Sequence, residues 1–202
     1  MHFDALALRA LGRGSLLHVG WADYTSAQTL LALDRAHEGW ARLTSAEDRL
    51  RGLTDRQSTH ICQGLRARLA WRLGEIDEAL SAAIQCGDTS RALPPTNYSS
   101  TEAFSAPALV GALVLATGGT IAQRQIARRL VRRHLGDLER YALVFPIARP
   151  RLAIVKAVIG ASKRRARTLA RLEAAAERAD GKGLGFEASL ARQIHADVAD
   201  RL

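Results

Sequence analysis

The chain has 202 residues, of which 48% are hydrophobic and 24% charged, and this ordinary globular composition excludes wholesale disorder. Lysine and arginine number 29 against 20 acidic residues, which gives a net charge of +9. Alanine and leucine supply 66 residues and aromatic residues only 5%, which favours helices packed through small side chains and argues against a β-sandwich or β-barrel.

Apolar residues recur at helical spacing through the first half of the chain, and no stretch alternates with the period of a half-buried strand. Helices are predicted at about 15–34 and 36–52, joined near His37 and Gly39. The next two, at about 59–73 and 75–86, are separated by Gly74 and are expected to form an antiparallel hairpin. Their inward residues are predicted to be Ile61, Leu65, Leu69 and Leu73, then Ile76, Ala79, Leu80, Ala83 and Ile84.

Residues 87–101 are predicted to form a loop because they combine adjacent prolines with small polar residues. Helices follow at about 101–116 and 120–144, with Gly118 and Gly119 between them and Thr120 as the N-cap. Further helices are predicted at about 150–161, 163–179 and 186–201, with a glycine-rich turn at 181–185. The buried stripe of the longest helix is predicted to be Ala127, Val131, Leu135, Leu138, Ala142 and Phe145.

One stretch indicates a repeat architecture. Trp71-Arg-Leu-Gly74-Glu-Ile-Asp-Glu-Ala79-Leu80 matches the second half of a tetratricopeptide repeat, in which glycine closes the turn and a later alanine admits close helix contact. We therefore predict an all-α, TPR-like α-solenoid of antiparallel helical hairpins. Its expected parts are N-terminal repeats at 1–92, a Pro/Ser-rich loop at 93–101, and C-terminal repeats at 102–202 that continue the first half.

The ends of the chain and its cysteines favour a cytoplasmic protein. Asp4 and Arg9 interrupt any N-terminal apolar core, so no signal peptide is expected. The longest apolar run, at 106–116, is about half of the ~20 residues that a membrane-spanning helix needs, so no membrane contact is expected. Cys62 and Cys86 lie on predicted helices and are expected to be small buried residues, not a disulfide.

The second half of the chain resembles a known family in several stretches that occur in the same order. They are Pro94-Pro-Thr-x-Tyr98, then Ala142-Leu-Val-Phe-Pro-Ile-Ala-Arg-Pro-Arg151, and a closing pattern of Arg164-Arg-Ala-Arg-x-Leu169, Ala175-Ala-Glu-Arg178 and Phe186-Glu-Ala-x-Leu-Ala191. Together they resemble the C-terminal helical-repeat region of bacterial adenylate/guanylate cyclases that carry an AAA-like ATPase module. The resemblance covers about 60–202 and implies a TPR-like regulatory region, stand-alone or truncated. The turn before Phe186 is longer and richer in glycine than the family's, and the cyclase and ATPase motifs are absent.

No motif predicts a reaction centre. The Gly-Gly-Thr at 118–120 lacks the lysine of a phosphate-binding loop and is expected to end one helix and cap the next. His60 and Cys62 are two positions apart on a helix, so they point about 200° apart and cannot bind one metal ion. Glu75, Asp77 and Glu78 begin a helix, where carboxylates favour the positive end of the dipole. We expect no catalytic residue, no cofactor and no metal ion.

The positive charge is concentrated in one third of the chain. Residues 121–178 hold 15 basic and four acidic residues, whereas residues 1–120 hold 11 basic and 12 acidic ones. The candidate interaction surface consists of Arg124, Arg128, Arg129, Arg132 and Arg133 on the long helix, and of Arg164, Arg165, Arg167 and Arg171, beside Lys163, further on. These side chains form a solvated face, or they bind an acidic protein or nucleic acid.

These patterns predict a non-catalytic helical-repeat scaffold for protein–protein or interdomain regulation. The expected partner is a protein, either one with an acidic surface or an upstream cyclase or ATPase module. The alternative is a basic, helical nucleic-acid-binding protein, although the lack of interleaved aromatic residues disfavours single-strand binding. Trp21, Trp40 and Trp71 are expected to fill the N-terminal core, or to cover an interface left open by missing repeats.

Overall fold

The computed structural model describes residues 2–12, 14–159, 161 and 164–201. These residues form ten α-helices and no strand, so the predicted all-α class is confirmed. Short 3-10 turns at Tyr98–Ser100 and Pro146–Ala148 precede the sixth and eighth helices. The helices are α1 (His2–Gly12), α2 (Leu16–Ala32), α3 (Ala36–Leu50), α4 (Arg56–Arg72), α5 (Ile76–Ala92), α6 (Thr101–Thr117), α7 (Ile121–Val144), α8 (Arg149–Ile159), α9 (Arg165–Asp180) and α10 (Gly185–Arg201).

Two glycines that were expected to mark helix ends lie inside helices. The turn between α2 and α3 falls at 33–35, not near Gly39, and α5 continues past Gly87 to Ala92. A β-carbon at Gly87 would lie 2.5 Å from Nε2 of His134, and one at Gly39 would lie 2.9 Å from a methyl carbon of Leu69. Both glycines therefore permit close contact between helices instead of a turn. Helix α1 was not predicted.

Consecutive helices pack side by side as the pairs α2–α3, α4–α5, α6–α7 and α9–α10. Neighbouring pairs contact each other through α3 and α4, α4 and α6, and α5 and α6, and the single helix α8 packs against both α6 and α9. Helix α6 is at the centre, and every residue from 102 to 114 is buried. By length and composition the segment Tyr98–Thr117 could cross a membrane, but 83% of its most apolar window is buried inside the molecule.

Small residues set the distance between the central helices. A β-carbon at Gly64 of α4 would lie 2.7 Å from Cα of Ala103 in α6, and one at Gly111 would lie 2.8 Å from the Ala127 carbonyl oxygen in α7. Larger side chains at these positions would force the helices apart. The turn between α4 and α5 has a different requirement, because Gly74 takes a φ of +85° that side chains disfavour.

The predicted buried stripes hold with one exception. Ile61, Leu65 and Leu69 are buried in α4, but Ile84 of α5 is 42% exposed, so its predicted inward position was wrong. In α7, the stripe residues are buried or packed against the core. Both cysteines are buried and free. Of the tryptophans, Trp71 is buried and Trp40 packs against the core, while Trp21 is partly exposed and donates its indole N–H to Ser58 and Asp55.

The last helix returns to the beginning of the chain. Helix α10 packs against α2, α6 and α8 in addition to its partner α9. The side-chain amide of Gln193 donates to the carbonyl oxygens of Leu31 and Ala32, at 3.1 and 3.0 Å, and Ser189 also donates to Ala32. The carbonyl oxygen of Leu31 also accepts from the backbone amide of Asp34, so the side chains of α10 add donors to the last turn of α2 from more than 150 residues away.

Candidate functional site

The five arginines predicted on the long helix are all exposed along α7. Arg133 lies 3.8 Å from Asp88, and Arg132 donates to the carbonyl oxygen of Arg128. Within the described ranges, no carboxylate lies within ion-pair distance of Arg124, Arg128, Arg129 or Arg132. Among the described residues, these four positive charges therefore have no carboxylate partner.

The second basic cluster lies at the beginning of α9. Arg164 precedes the helix, Arg165, Arg167 and Arg171 follow on it, and all four are exposed. The Arg165 guanidinium donates to the carbonyl oxygen of Ala199 in α10. Lys163 lies outside the described residues. Helix α9 packs on α8 and α10, whereas α7 packs mainly on α5 and α6, so the clusters occupy different helices without an extensive contact between them.

Arginines elsewhere in the chain are mostly held by carboxylates. Arg66 of α4 bridges Glu47 and Glu78, and Arg72 bridges Asp34 and Asp197. Exposed arginines also pair locally, as in Arg35–Glu38, Arg51–Asp48 and Arg192–Asp180. In contrast, most of the exposed arginines of α7 and α9 have no described carboxylate as a partner. The excess of positive charge in the sequence is therefore concentrated on the surfaces of these two helices.

A second feature, which the sequence did not indicate, is a chain of four buried charges. It alternates in sign through Arg68 of α4, Glu102 of α6, Arg151 of α8 and Glu187 of α10. Glu102 accepts from Arg68 at 2.9 Å and from Arg151 at 2.8 Å. Arg151 also donates twice to Glu187, at 2.6 and 2.9 Å, and once to Ser105 at 3.1 Å.

The four buried charges of Arg68, Glu102, Arg151 and Glu187 compensate one another. Burial opposes ionisation of Glu102, but the Arg151 and Arg68 guanidinium groups outweigh it and lower the pKa of that carboxyl. Burial likewise disfavours the charged form of Arg151, yet Glu102 and Glu187 raise its pKa. The four buried charges, two cations and two anions, join four helices. Both of their carboxylates are bound by guanidinium groups, so neither is free for acid–base catalysis.

A buried histidine–serine pair resembles a nucleophile and its base. Nε2 of His60 lies 2.7 Å from Oγ of Ser90, and the Ser90 hydroxyl donates to the carbonyl oxygen of Cys86 at 2.9 Å. Because the Ser90 hydroxyl donates to the carbonyl oxygen of Cys86, its proton is not directed at His60. Burial lowers the pKa of His60 to about 4, and both side chains are at most 5% exposed. The pair is structural.

A cleft of about 360 Å³ opens beside the charge chain. Its walls come from α2, from the turn before α6, from the turn before α8 and from the start of α10. Arg151 and Glu187 reach its lining, and Tyr24, Tyr98 and Phe186 contribute aromatic rings. The cleft is thus built where the last helix meets the first half of the molecule.

In the part of the chain that the structure describes, no group of three or more His, Cys, Asp or Glu side chains is arranged to hold a metal ion. No protein-family model, no curated protein and no solved structure matches the chain.

Proposed function

We propose that this protein is a non-catalytic helical-repeat scaffold whose arginine-rich outer surface binds an acidic protein. The proposed architecture is a TPR-like solenoid. It is supported by the order of packing, in which hairpins α2–α3, α4–α5 and α6–α7 follow one another and the first helix of each contacts the first helix of the next. It is also supported by Gly74 and the fully buried Ala79 in the repeat-like motif.

The observation that carries the binding proposal is the uncompensated arginine row of α7. Arg124, Arg128 and Arg132 are four positions apart, so successive Cα atoms rise by about 6 Å along one side of the helix. A carboxylate-rich surface with a comparable spacing could bind several guanidinium groups at once, each through two hydrogen bonds. The buried charges of Arg68, Glu102, Arg151 and Glu187, by contrast, are bound to one another.

The charge of this row and the resemblance in the sequence support a proposal for the partner. We propose an acidic surface on a nucleotide-signalling protein of the cyclase or ATPase class, contacted in regulation between proteins or domains. Nucleic acid is the second candidate, because the same arginine row could bind phosphates.

Two triple variants with the same change in net charge test this proposal. R124Q/R128Q/R132Q removes the row on α7, and R35Q/R51Q/R192Q removes three exposed arginines that are already paired. The probes are a fluorescein-labelled oligoglutamate peptide and a DNA duplex, each followed by anisotropy at several salt concentrations.

We expect the α7 variant to bind the oligoglutamate at least about tenfold more weakly than the unmodified protein, and the control to remain within about twofold. Equal weakening in both variants would show that only net charge matters and would overturn the α7 surface. Tighter binding of DNA than of oligoglutamate, lost in the α7 variant, would favour the second candidate.

A further inference from the structure

Gly136, in the second half of α7, is a glycine for which the rest of the fold gives no reason. It lies on the exposed side of the helix, and no described atom is within 4 Å of the place where its β-carbon would be. Glycine is less favourable than alanine inside a helix because it loses more conformational freedom on folding. A glycine at this position of a 24-residue helix therefore points to a contact that this chain does not supply.

The other glycines inside described helices show what kind of contact this is. A β-carbon at any of them would lie 2.5 to 2.9 Å from an atom of a neighbouring helix. The neighbours are Leu50 for Gly20, Leu69 for Gly39, Ala103 for Gly64, His134 for Gly87 and Ala127 for Gly111. In this fold a glycine inside a helix thus marks the place where a second helix approaches closely.

Arginines and a leucine surround Gly136 on the same side of α7. Residues three, four and seven positions away lie within about 60° of it around the helix axis. The exposed ones are Arg129, Arg132, Arg133, Arg140 and Leu143. Leu143 is 75% exposed, and the remaining residue of this set, Glu139, is bound by Lys156 at 2.7 Å. A helix that crosses α7 at Gly136 would therefore meet mainly positive charge.

This charge selects the chemistry of the second helix. Arg133 lies near Asp88 and Arg140 is bound to Asp137, but Arg129 and Arg132 have no described carboxylate partner. A second copy of this chain does not fit, because two α7 helices that cross at Gly136 would bring arginines against arginines in either direction. Acidic residues on both sides of the crossing point would complement this face.

We propose that the acidic partner contacts α7 through an α-helix, which crosses α7 at Gly136 with a glycine or alanine of its own and with acidic residues on both sides of that point. This contact rests on the proposed binding of an acidic protein to α7, and it specifies the segment of the partner that binds. A side chain at position 136 would hold the two helix backbones apart.

The test uses the full chain and a fluorescein-labelled, alanine-based helical peptide of about 20 residues, followed by anisotropy. Glutamates stand three and four positions on either side of its central alanine. A control peptide of the same charge has proline next to the centre, which breaks the helix. Gly136→Ala and Gly136→Leu add a side chain at the crossing point, whereas Ala122→Leu adds one at an exposed position near the beginning of α7.

We expect the helical peptide to bind the unmodified protein at least about tenfold more tightly than the proline peptide, because it is already ordered. Gly136→Leu should abolish this difference and Gly136→Ala should reduce it, while Ala122→Leu should bind within about twofold of the unmodified protein. Both changes at Gly136 should leave the thermal unfolding temperature unchanged or raise it, so unfolding does not explain their loss of binding.

Equal binding of the two peptides, or unchanged binding of the helical peptide in Gly136→Leu, would overturn the helical contact. The α7 surface itself would still be supported if R124Q/R128Q/R132Q weakened the binding of oligoglutamate, so the two failures are distinguishable. A dimer that Gly136→Leu dissociates would identify a second copy as the occupant and overturn the proposal. Tighter binding of the DNA duplex than of the helical peptide, lost in Gly136→Leu, would also overturn it.

Discussion

Replacing Arg151 by methionine should be among the most destabilising single changes in this protein. Arg151 is 3% exposed, and it is bound to Glu102, which is 2% exposed, and to Glu187, which is 9% exposed. Without the guanidinium, Glu187 loses both of its hydrogen bonds and Glu102 keeps only Arg68. Removing one partner of a buried ion pair costs about 3–5 kcal/mol, a large share of the ~5–15 kcal/mol that stabilises a typical domain.

A double variant separates buried charge from lost packing. In Arg151→Met/Glu187→Met the remaining pair, Arg68 and Glu102, is neutral overall, so we expect a loss of only about 1–2 kcal/mol. Urea unfolding followed by far-UV circular dichroism gives both free energies of unfolding. Arg192→Met, in a pair with both side chains nearly half exposed or more, should cost less than about 0.5 kcal/mol. If Arg151→Met cost under about 1 kcal/mol, or if the double variant were no more stable than it, our account of the charge chain would be refuted.

Three further predictions use the same unfolding measurement. Gly64→Ala should lower the free energy of unfolding by about 1–3 kcal/mol, because its β-carbon would lie 2.7 Å from the Ala103 backbone. Gly136→Ala, with open space around it, should raise the free energy of unfolding by up to about 1 kcal/mol. Equal effects of the two changes would contradict the close contact. Thr120→Ala should lower the free energy of unfolding by about 1 kcal/mol because it removes the capping box with Gln123. Thr89→Ala, which removes a hydroxyl inside a helix, should leave the free energy of unfolding nearly unchanged. If Thr120→Ala also left it unchanged, the cap would contribute nothing to stability. The free energy of unfolding should fall by up to about 3 kcal/mol as the pH drops from 6.5 to 4, because His60 is protonated near pH 6.5 in the unfolded chain and only near pH 4 in the folded one. His60→Gln should make the free energy of unfolding less dependent on pH in this range. An unchanged pH dependence in that variant would contradict the assignment to His60.

Local signals predicted most helices but misread particular glycines. Thr120 with Gln123, and Gly74 with its positive φ, act within a few residues of their own positions, so the sequence shows them directly. Gly87 looked like a helix end because its reason for being glycine is the His134 ring, 47 positions later and on another helix. A single sequence does not distinguish a glycine that a turn needs from one that a neighbouring helix needs.

The candidate sites divide in the same way. The arginine row of α7 is visible in the sequence because a helix places every fourth residue on nearly the same side. The four charges of the buried chain are separated by 34 to 49 positions from the residues they bind, so only the folded molecule brings them together. Glu102, four positions before the apolar run at 106–116, is the one member that a reading of the sequence could have singled out. A carboxylate at the beginning of a buried helix needs a cation, and the sequence does not say which one.

The contacts of α10 with the end of α2 join the last helix of the molecule to its second one. In a linear array of repeats the terminal units contact one neighbour and fray first, one after another. Here the bonds of Gln193 and Ser189 to α2, and the bridge from Asp197 through Arg72 to Asp34, tie the last helix to the second. Because these bonds are shared by both helices, α2 and α10 should open together, and their amides should exchange with solvent at matched rates.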